Sequence, residues 1–328
     1  MMKGYIQAAR IACLVQFCAI GLAFQASLDG PLQTLPQARS GKTAPADNFP
    51  ALVRVDSSLV LIPVHVTAAS GAPVTDLKKE DFALFEDGVR QTITHFAKDD
   101  APVSAGLLLD ISGSMKDKMS KAYEAAAEIF QFANPEDEFF LVEFNGRARL
   151  TVPFTRDWSE ISKEIAKAKT SGMTALLDAI HLGIAQMKHA GNTRKALIVL
   201  SDGGDNFSRR NLRQLRATLL EADVQVYAMG VFDGNYAVKR TREEREGPKL
   251  LDRVALDTGG RDFPIARMGD LPEIGVQIAR QLRNQYILGY TPPATAADGK
   301  YHQVNLKLTS SENDLRTFYR RGYYAPAQ

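Results

Sequence analysis

Two short apolar runs, each stopped by an aspartate, constrain this chain more than any other feature. Residues 105–109 read Ala-Gly-Leu-Leu-Leu and end at Asp110, and residues 196–200 read Ala-Leu-Ile-Val-Leu and end at Ser201-Asp202. Runs of this length with no polar side chain are strands buried on both faces, as in a parallel sheet covered by helices. Between residues 103 and 285, strand-like runs at 139–144, 150–154, 224–231 and near Phe263 accompany these two. They alternate with segments of helical spacing at 118–132, 157–168, 176–187, 212–220, 250–256 and 271–282. The alternation predicts an α/β domain over 103–285: a mostly parallel sheet built by right-handed crossovers, with helices on both faces. The runs at 139–144 and 150–154 are expected to pair with each other.

The flanks are β in character. Residues 53–66 are rich in Val, Leu and Ile with partial alternation, and Gly71-Ala72-Pro73 marks a turn. Asp87-Gly88, between Phe82 and Leu84 on one side and Val89, Ile93 and Phe96 on the other, reads as a hairpin. Residues 286–290, 301–308 and 315–319 read as three further strands. Each segment alone has few strands and unpaired edges. Residues 50–97 and 286–324 are therefore expected to fold together as one small β-sandwich, with the α/β domain inserted between its halves.

Ligands of such a sheet sit beyond the carboxyl ends of its strands. Asp110 opens Asp110-Ile111-Ser112-Gly113-Ser114 at one such end, and Asp202 opens Asp202-Gly203-Gly204 at another. Between them, Ser171-Gly172-Met173-Thr174 is a loop that starts a helix. Two carboxylates and three hydroxyls can thus converge on one end of the sheet, a donor set for a hard cation such as Mg2+, which takes about six oxygens at ~2.1 Å. A cation held mostly by neutral oxygens stays electrophilic and gains from one more carboxylate brought by a partner. Asp205 and Asn206 read either as turn formers or as the rim of that site.

Asp110, Ser112 and Ser114, with Thr174 in Gly-Met-Thr-Ala-Leu-Leu-Asp and Asp202 in Leu-Ser-Asp-Gly-Gly-Asp-Asn, resemble the metal-ion-dependent adhesion site (MIDAS) of von Willebrand factor A domains. The resemblance covers about 103–284. It implies a Rossmann-like fold in which Asp110, Ser112, Ser114, Thr174 and Asp202 hold Mg2+ or Mn2+ and bind an acidic residue of a protein partner. Met115-Lys116-Asp117-Lys118 is similar to an integrin β-subunit sequence in which two consecutive acids hold an adjacent ion; Asp117 matches the first, and Lys118 replaces the second. The simpler reading of Asp117 is an acid near a helix N-terminus. The flanking Val74-Thr75-Asp76-Leu77, Phe85-Glu86-Asp87-Gly88 and Arg321-Gly322-Tyr323-Tyr324 resemble exported A-domain proteins abundant in acidobacteria.

Export is also expected from the first residues. Lys3 and Arg10 precede an apolar run over 11–24, followed by small residues, as in a secretory signal peptide over 1–26 cut after Ala23 or Ala26. The run is shorter than the ~20 residues a spanning helix needs, so no membrane insertion is expected once it is cut. Residues 27–49 read as a flexible leader. Both cysteines, Cys13 and Cys18, fall within the signal. The whole chain carries a formal net charge of +2, and without Lys3 and Arg10 it has 38 charges of each sign, which argues against a broad nucleic-acid-binding face.

Other chemistries fit less well. A phosphotransferase with Asp110 as nucleophile would need an acid where Ser112 stands, and Ser112 and Ser114 lack a hydrolase nucleophile context. Ser40-Gly41-Lys42-Thr43 lacks the earlier glycine of a phosphate loop. The five histidines are scattered without zinc-site spacing. Residues 233–247 hold a mixed-charge run that reads as a solvated loop or helix face. The sequence thus points to a non-enzymatic, exported, metal-dependent binding module at the periplasm, the cell surface or beyond. The alternatives are an envelope scaffold with a non-exchanging metal and a metal-dependent phosphotransferase.

Overall fold

The computed structural model describes residues 59–231, 242–265, 267–293, 298–309 and 314–326, all within one compact unit, 55–328. The expected signal peptide and leader, both cysteines, and residues 233–241 of the charged run lie outside the described residues.

Strand β5 (Val103–Asp110) is buried along its whole length. Its side chains alternate between two cores, as strand geometry demands: Leu107 and Leu109 enter one, Leu108 the other. The run without polar residues is what lets one strand serve both. Around it lies a six-stranded sheet in the order β10-β9-β8-β5-β6-β7, with β6 (Glu138–Phe144), β7 (Ala148–Thr155), β8 (Arg194–Ser201), β9 (Gln225–Val231) and β10 (Asp262–Ile265). All neighbours are parallel except β6 and β7, the pair read from the sequence. Helices α1 (Met119–Gln131), α2 (Trp158–Lys167) and α6 (Leu271–Arg283) cover one face, sending Ala122, Ile161 and Ile278 into its core. On the other face, α3 (Leu176–Gln186), α4 (Leu212–Ala222) and α5 (Arg242–Asp257) contribute Ile180, Leu215 and Val254. Truncating a core residue as buried as Leu108 costs about 2–5 kcal/mol.

Two antiparallel sheets of four strands accompany this domain, in the orders β13-β1-β11-β4 and β14-β12-β2-β3. Their strands are β1 (Val60–Thr67), β2 (Phe82–Glu86), β3 (Val89–Gln91), β4 (His95–Asp99), β11 (Gln285–Tyr290), β12 (Tyr301–Leu308), β13 (Arg316–Tyr319) and β14 (Gly322–Tyr324). Both sheets mix strands from before and after the α/β domain: β1 pairs with β11 and β13, and β12 pairs with β2. Ile62, Val64, Leu84, Leu288 and Leu306 share one apolar core. Asp87 and Gly88 form the β2–β3 turn with φ of 47° and 83°, the left-handed conformation that favours Asp-Gly in hairpins. The α/β domain meets these sheets through Arg320, whose Nη1 lies 2.7 Å from Asp223 Oδ1, and Gln285, whose Nε2 donates to Gln225 Oε1 at 2.9 Å.

Three elements differ from the sequence reading. The second arm of the hairpin, read through Val89, Ile93 and Phe96, divides: β3 ends at Gln91 beside β2, while β4, with Phe96, pairs with β11 in the other sheet. Helix α5 starts at Arg242 rather than near 250, because Arg and Glu sustain a helix without adding an apolar period. The C-terminal segment contains a fourth strand, β14, of only three residues, held by Tyr301–Gln303 of β12. No helix among the described residues is long and apolar enough to cross a membrane.

Candidate metal centre

Strands β5 and β8 run side by side with Leu109 opposite Leu200. Asp110 therefore comes level with Ser201, one residue from Asp202. The strand order also reverses here: the chain leaves β5 for β6 and β7, then returns on the other side at β8. Crevices beyond strand ends at such reversals are the binding sites of open α/β sheets.

Asp110 is fully buried. Its Oδ1 accepts the Ser112 backbone N–H at 2.8 Å, and its Oδ2 accepts the Ser201 hydroxyl at 2.6 Å. Burial, and then the like charge of Asp202, push its pKa up to about 6, against the pull of the Ser112 and Ser201 hydrogen bonds. Both of these donors are neutral.

The Ser112 and Ser114 hydroxyls lie 3.1 Å apart, Ser112 buried and Ser114 exposed on a 3-10 turn over Gly113–Lys118. Two backbone bonds tie this segment to the next loop: Ser171 N–H to Ile111 O at 2.9 Å, and Gly113 N–H to Gly172 O at 3.1 Å. Gly172 turns that loop with a φ of 81°, and buried Thr174 follows. The Thr174 N–H donates to Asn206 Oδ1 at 2.8 Å, and its carbonyl accepts the Asn206 and Phe207 N–H groups at 3.1 and 3.0 Å. The Thr174 loop is thereby fastened to the loop that begins at Asp202.

Asp202 is 8% exposed. Gly203 after it has a φ of 77° and packs against the backbone of α5, where a Cβ would lie 2.8 Å from the Gly247 carbonyl carbon. Any side chain at Gly203 would displace the turn that aims Asp202. Asp202 Oδ2 lies 3.5 Å from Lys118 Nζ, which also donates to the Val231 carbonyl at 3.3 Å.

Asp110, Ser112, Ser114, Thr174 and Asp202 thus share one end of the sheet, on three loops joined by backbone hydrogen bonds. Asp205 and Asn206 brace these loops. Asp205 Oδ1 accepts the Leu176 N–H at 3.0 Å and the Ser208 hydroxyl at 2.5 Å at the N-terminus of α3, while Asn206 holds Thr174. Asp117 is exposed at the end of the 3-10 turn, before α1.

Two residues at the site were not picked out as its members from the sequence. Ser201 closes an apolar run, and parallel pairing of the two runs would have set it beside Asp110. Lys118 is separated from Asp202 by 84 residues, and no local pattern announces their meeting. The oxygen donors suit a hard cation. A buried carboxylate with neutral donors and a carboxylate neighbour gains from an added positive charge. Lys118 already brings one such charge to the Asp202 side.

Comparison with known proteins bears on the fold. Residues 106–204 match the model of the von Willebrand factor type A domain. Over 186 residues the chain is 25% identical to the uncharacterized protein sll0103 of Synechocystis sp., covering 55% of this chain and 42% of that protein. Over 188 residues it is 23% identical to inter alpha-trypsin inhibitor, heavy chain 4, of Mus musculus, covering 51% of this chain and 19% of that one. The matches thus span less than half of these relatives' own lengths. Among solved structures, von Willebrand factor type A from Catenulispora acidiphila aligns with a TM-score of 0.49 at 13% identity, over 83% of this chain and 75% of that one. From its matched residues, its sheet and its helices, this chain carries a von Willebrand factor type A domain.

Proposed function

We propose that this chain is an exported, non-enzymatic protein-binding module that works through a divalent cation, Mg2+ or Mn2+. Asp110, Ser112, Ser114, Thr174 and Asp202 would hold the ion directly or through water. The observation that carries this reading is Asp110: a fully buried carboxylate at the strand-order reversal, next to Asp202 and held by neutral donors. When bound, the ion supplies an electrophilic position for a carboxylate of a partner protein. The chain's own residues do the rest. Ser201 and the Ser112 N–H fix the orientation of Asp110, Asn206 fixes the Thr174 loop, and the Gly203–Gly247 contact fixes Asp202. The A-domain match supports the protein-binding class, and the likeness to a secretory signal at residues 1–26 supports a site of action at the periplasm or cell surface.

Calorimetric titration of chelated protein with Mg2+ and Mn2+, beside Asp110→Ala, tests this. Saturable one-site binding is expected for the wild type and none for the variant. A wild-type protein that binds neither ion would remove the mechanism and leave a structural role for the domain.

A further inference from the structure

The rim of the candidate site carries a second kind of information. Met173 and Phe207 are 48% and 55% exposed. They flank Thr174 from two loops that are bonded to each other through its backbone. Phe207 is not on a loose segment: its own N–H is given to the Thr174 carbonyl at 3.0 Å. Its ring lies over Gly146 in the β6–β7 turn, 3.6 Å from where a Cβ there would stand. Exposed aromatic and thioether side chains held in place beside one another at a candidate site are suited to anchor a partner. The same rim is basic. In the loops that follow β5, β6, α2 and β8, Lys116, Arg147, Lys169, Arg209 and Arg210 are exposed, against the exposed acid Asp117; the start of α5 beside Gly203 adds one of each sign, Arg245 and Glu246. The chain as a whole has a formal net charge of only +2, so the excess is local.

We propose that the rim selects the partner: an acidic protein segment in which an apolar side chain stands next to the carboxylate that reaches the metal. Met173 and Phe207 take the apolar side chain, and the arginines and lysines take the surrounding negative charge, which also speeds encounter. The proposal rests on the metal-dependent reading above and adds the partner's chemistry to it.

A random peptide library displayed on phage, selected on the immobilised protein in Mg2+, tests it. Recovered peptides are expected to place Asp or Glu beside Leu, Ile, Met or Phe within a net-negative sequence. The Met173→Ser/Phe207→Ser double variant should keep the acid, lose the apolar neighbour, and bind a wild-type-selected peptide about tenfold more weakly. Arg209→Glu/Arg210→Glu should lose the acidic flanks and much of the salt dependence. Both pairs are exposed, and circular dichroism checks that each variant is folded. Recovery of the same peptides by wild type and the double variant, or no enrichment over a blank surface, would overturn the proposal. Peptides recovered equally under chelation but lost in the double variant would instead retain the rim and sink the metal reading.

Discussion

Among the described residues, two clusters of acidic side chains are finished in opposite ways. At the end of the α/β sheet, Asp110 is buried with neutral donors and a like-charged neighbour, and its pKa rises to about 6. In the antiparallel sheets, Glu86, Asp87 and Asp298 surround His302. Its Nδ1 lies 2.8 Å from Asp87 Oδ2 and 3.6 Å from Glu86 Oε1, and its Nε2 lies 3.1 Å from Asp298 Oδ1. Carboxylates facing both nitrogens of an imidazole favour its doubly donating, cationic form. Buried Glu86 also accepts the Tyr323 hydroxyl at 2.6 Å, and backbone N–H groups of Gln303 and Lys300 hold Asp87 and Asp298. Those bonds set the Asp87 pKa below the usual range and that of Asp298 down to about 2. The second cluster contains its own counter-charge. The first leaves Asp110 short of one, and the proposed ion would make up that difference.

Removing one charge from each cluster gives the largest contrast. Glu86→Ala strands the Tyr323 hydroxyl and takes a carboxylate from His302, and is expected to cost about 3 kcal/mol in urea unfolding. Asp110→Asn relieves desolvation and repulsion, and is expected to stabilise the metal-free protein by on the order of 1–2 kcal/mol while abolishing Mg2+ binding. Destabilisation of similar size in both variants would erase the distinction.

Lys118 sharpens it further. As the cation at Asp202, with side-chain exposures of 13% and 10% for the pair, it partly does for the first cluster what His302 does for the second. Lys118→Met should lower metal-free stability by about 1 kcal/mol and tighten Mg2+ binding several-fold, read by thermal melts and calorimetry. Unchanged Mg2+ affinity would mean that the lysine and the ion do not compete.

The smallest effect is a pH dependence in the second cluster. Burial lowers the His302 pKa, but its hydrogen bonds to Asp87 and Asp298 and the nearby charges of Asp87 and Glu86 outweigh this and leave it above 6.5. A raised folded-state pKa means that the stabilisation is complete below 6.5 and fades as pH rises through the folded value. Melting temperatures of wild type and His302→Gln, compared from pH 6 upward, should converge with rising pH. A constant gap would show that His302 contributes only through contacts that do not depend on its charge.

The place of the candidate site is legible in the sequence. Asp110 and Asp202 announce themselves because each interrupts an apolar run where a buried strand must end, and Ser112, Ser114 and Thr174 lie in loops next to those ends. Strand β14 was not legible, since three residues carry no period, nor was the start of α5 at Arg242, since a charged helix shows no apolar stripe. His302 read as one of five scattered histidines: its partners Glu86 and Asp87 come from the other side of the α/β domain, more than two hundred residues away along the chain.

What the chain determined by itself is local. Apolar periodicity sets which segments are strands or helices, and an aspartate at the end of a buried run sets where chemistry is placed, because both depend on residues a few positions apart. Which strand lies beside which was decided by packing the whole sheet. Only that packing brings Ser201 to Asp110, Lys118 to Asp202 and His302 between its acids. Charges interact through space over a few ångströms, so the balance that leaves one cluster short of a cation and the other satisfied belongs to the tertiary structure.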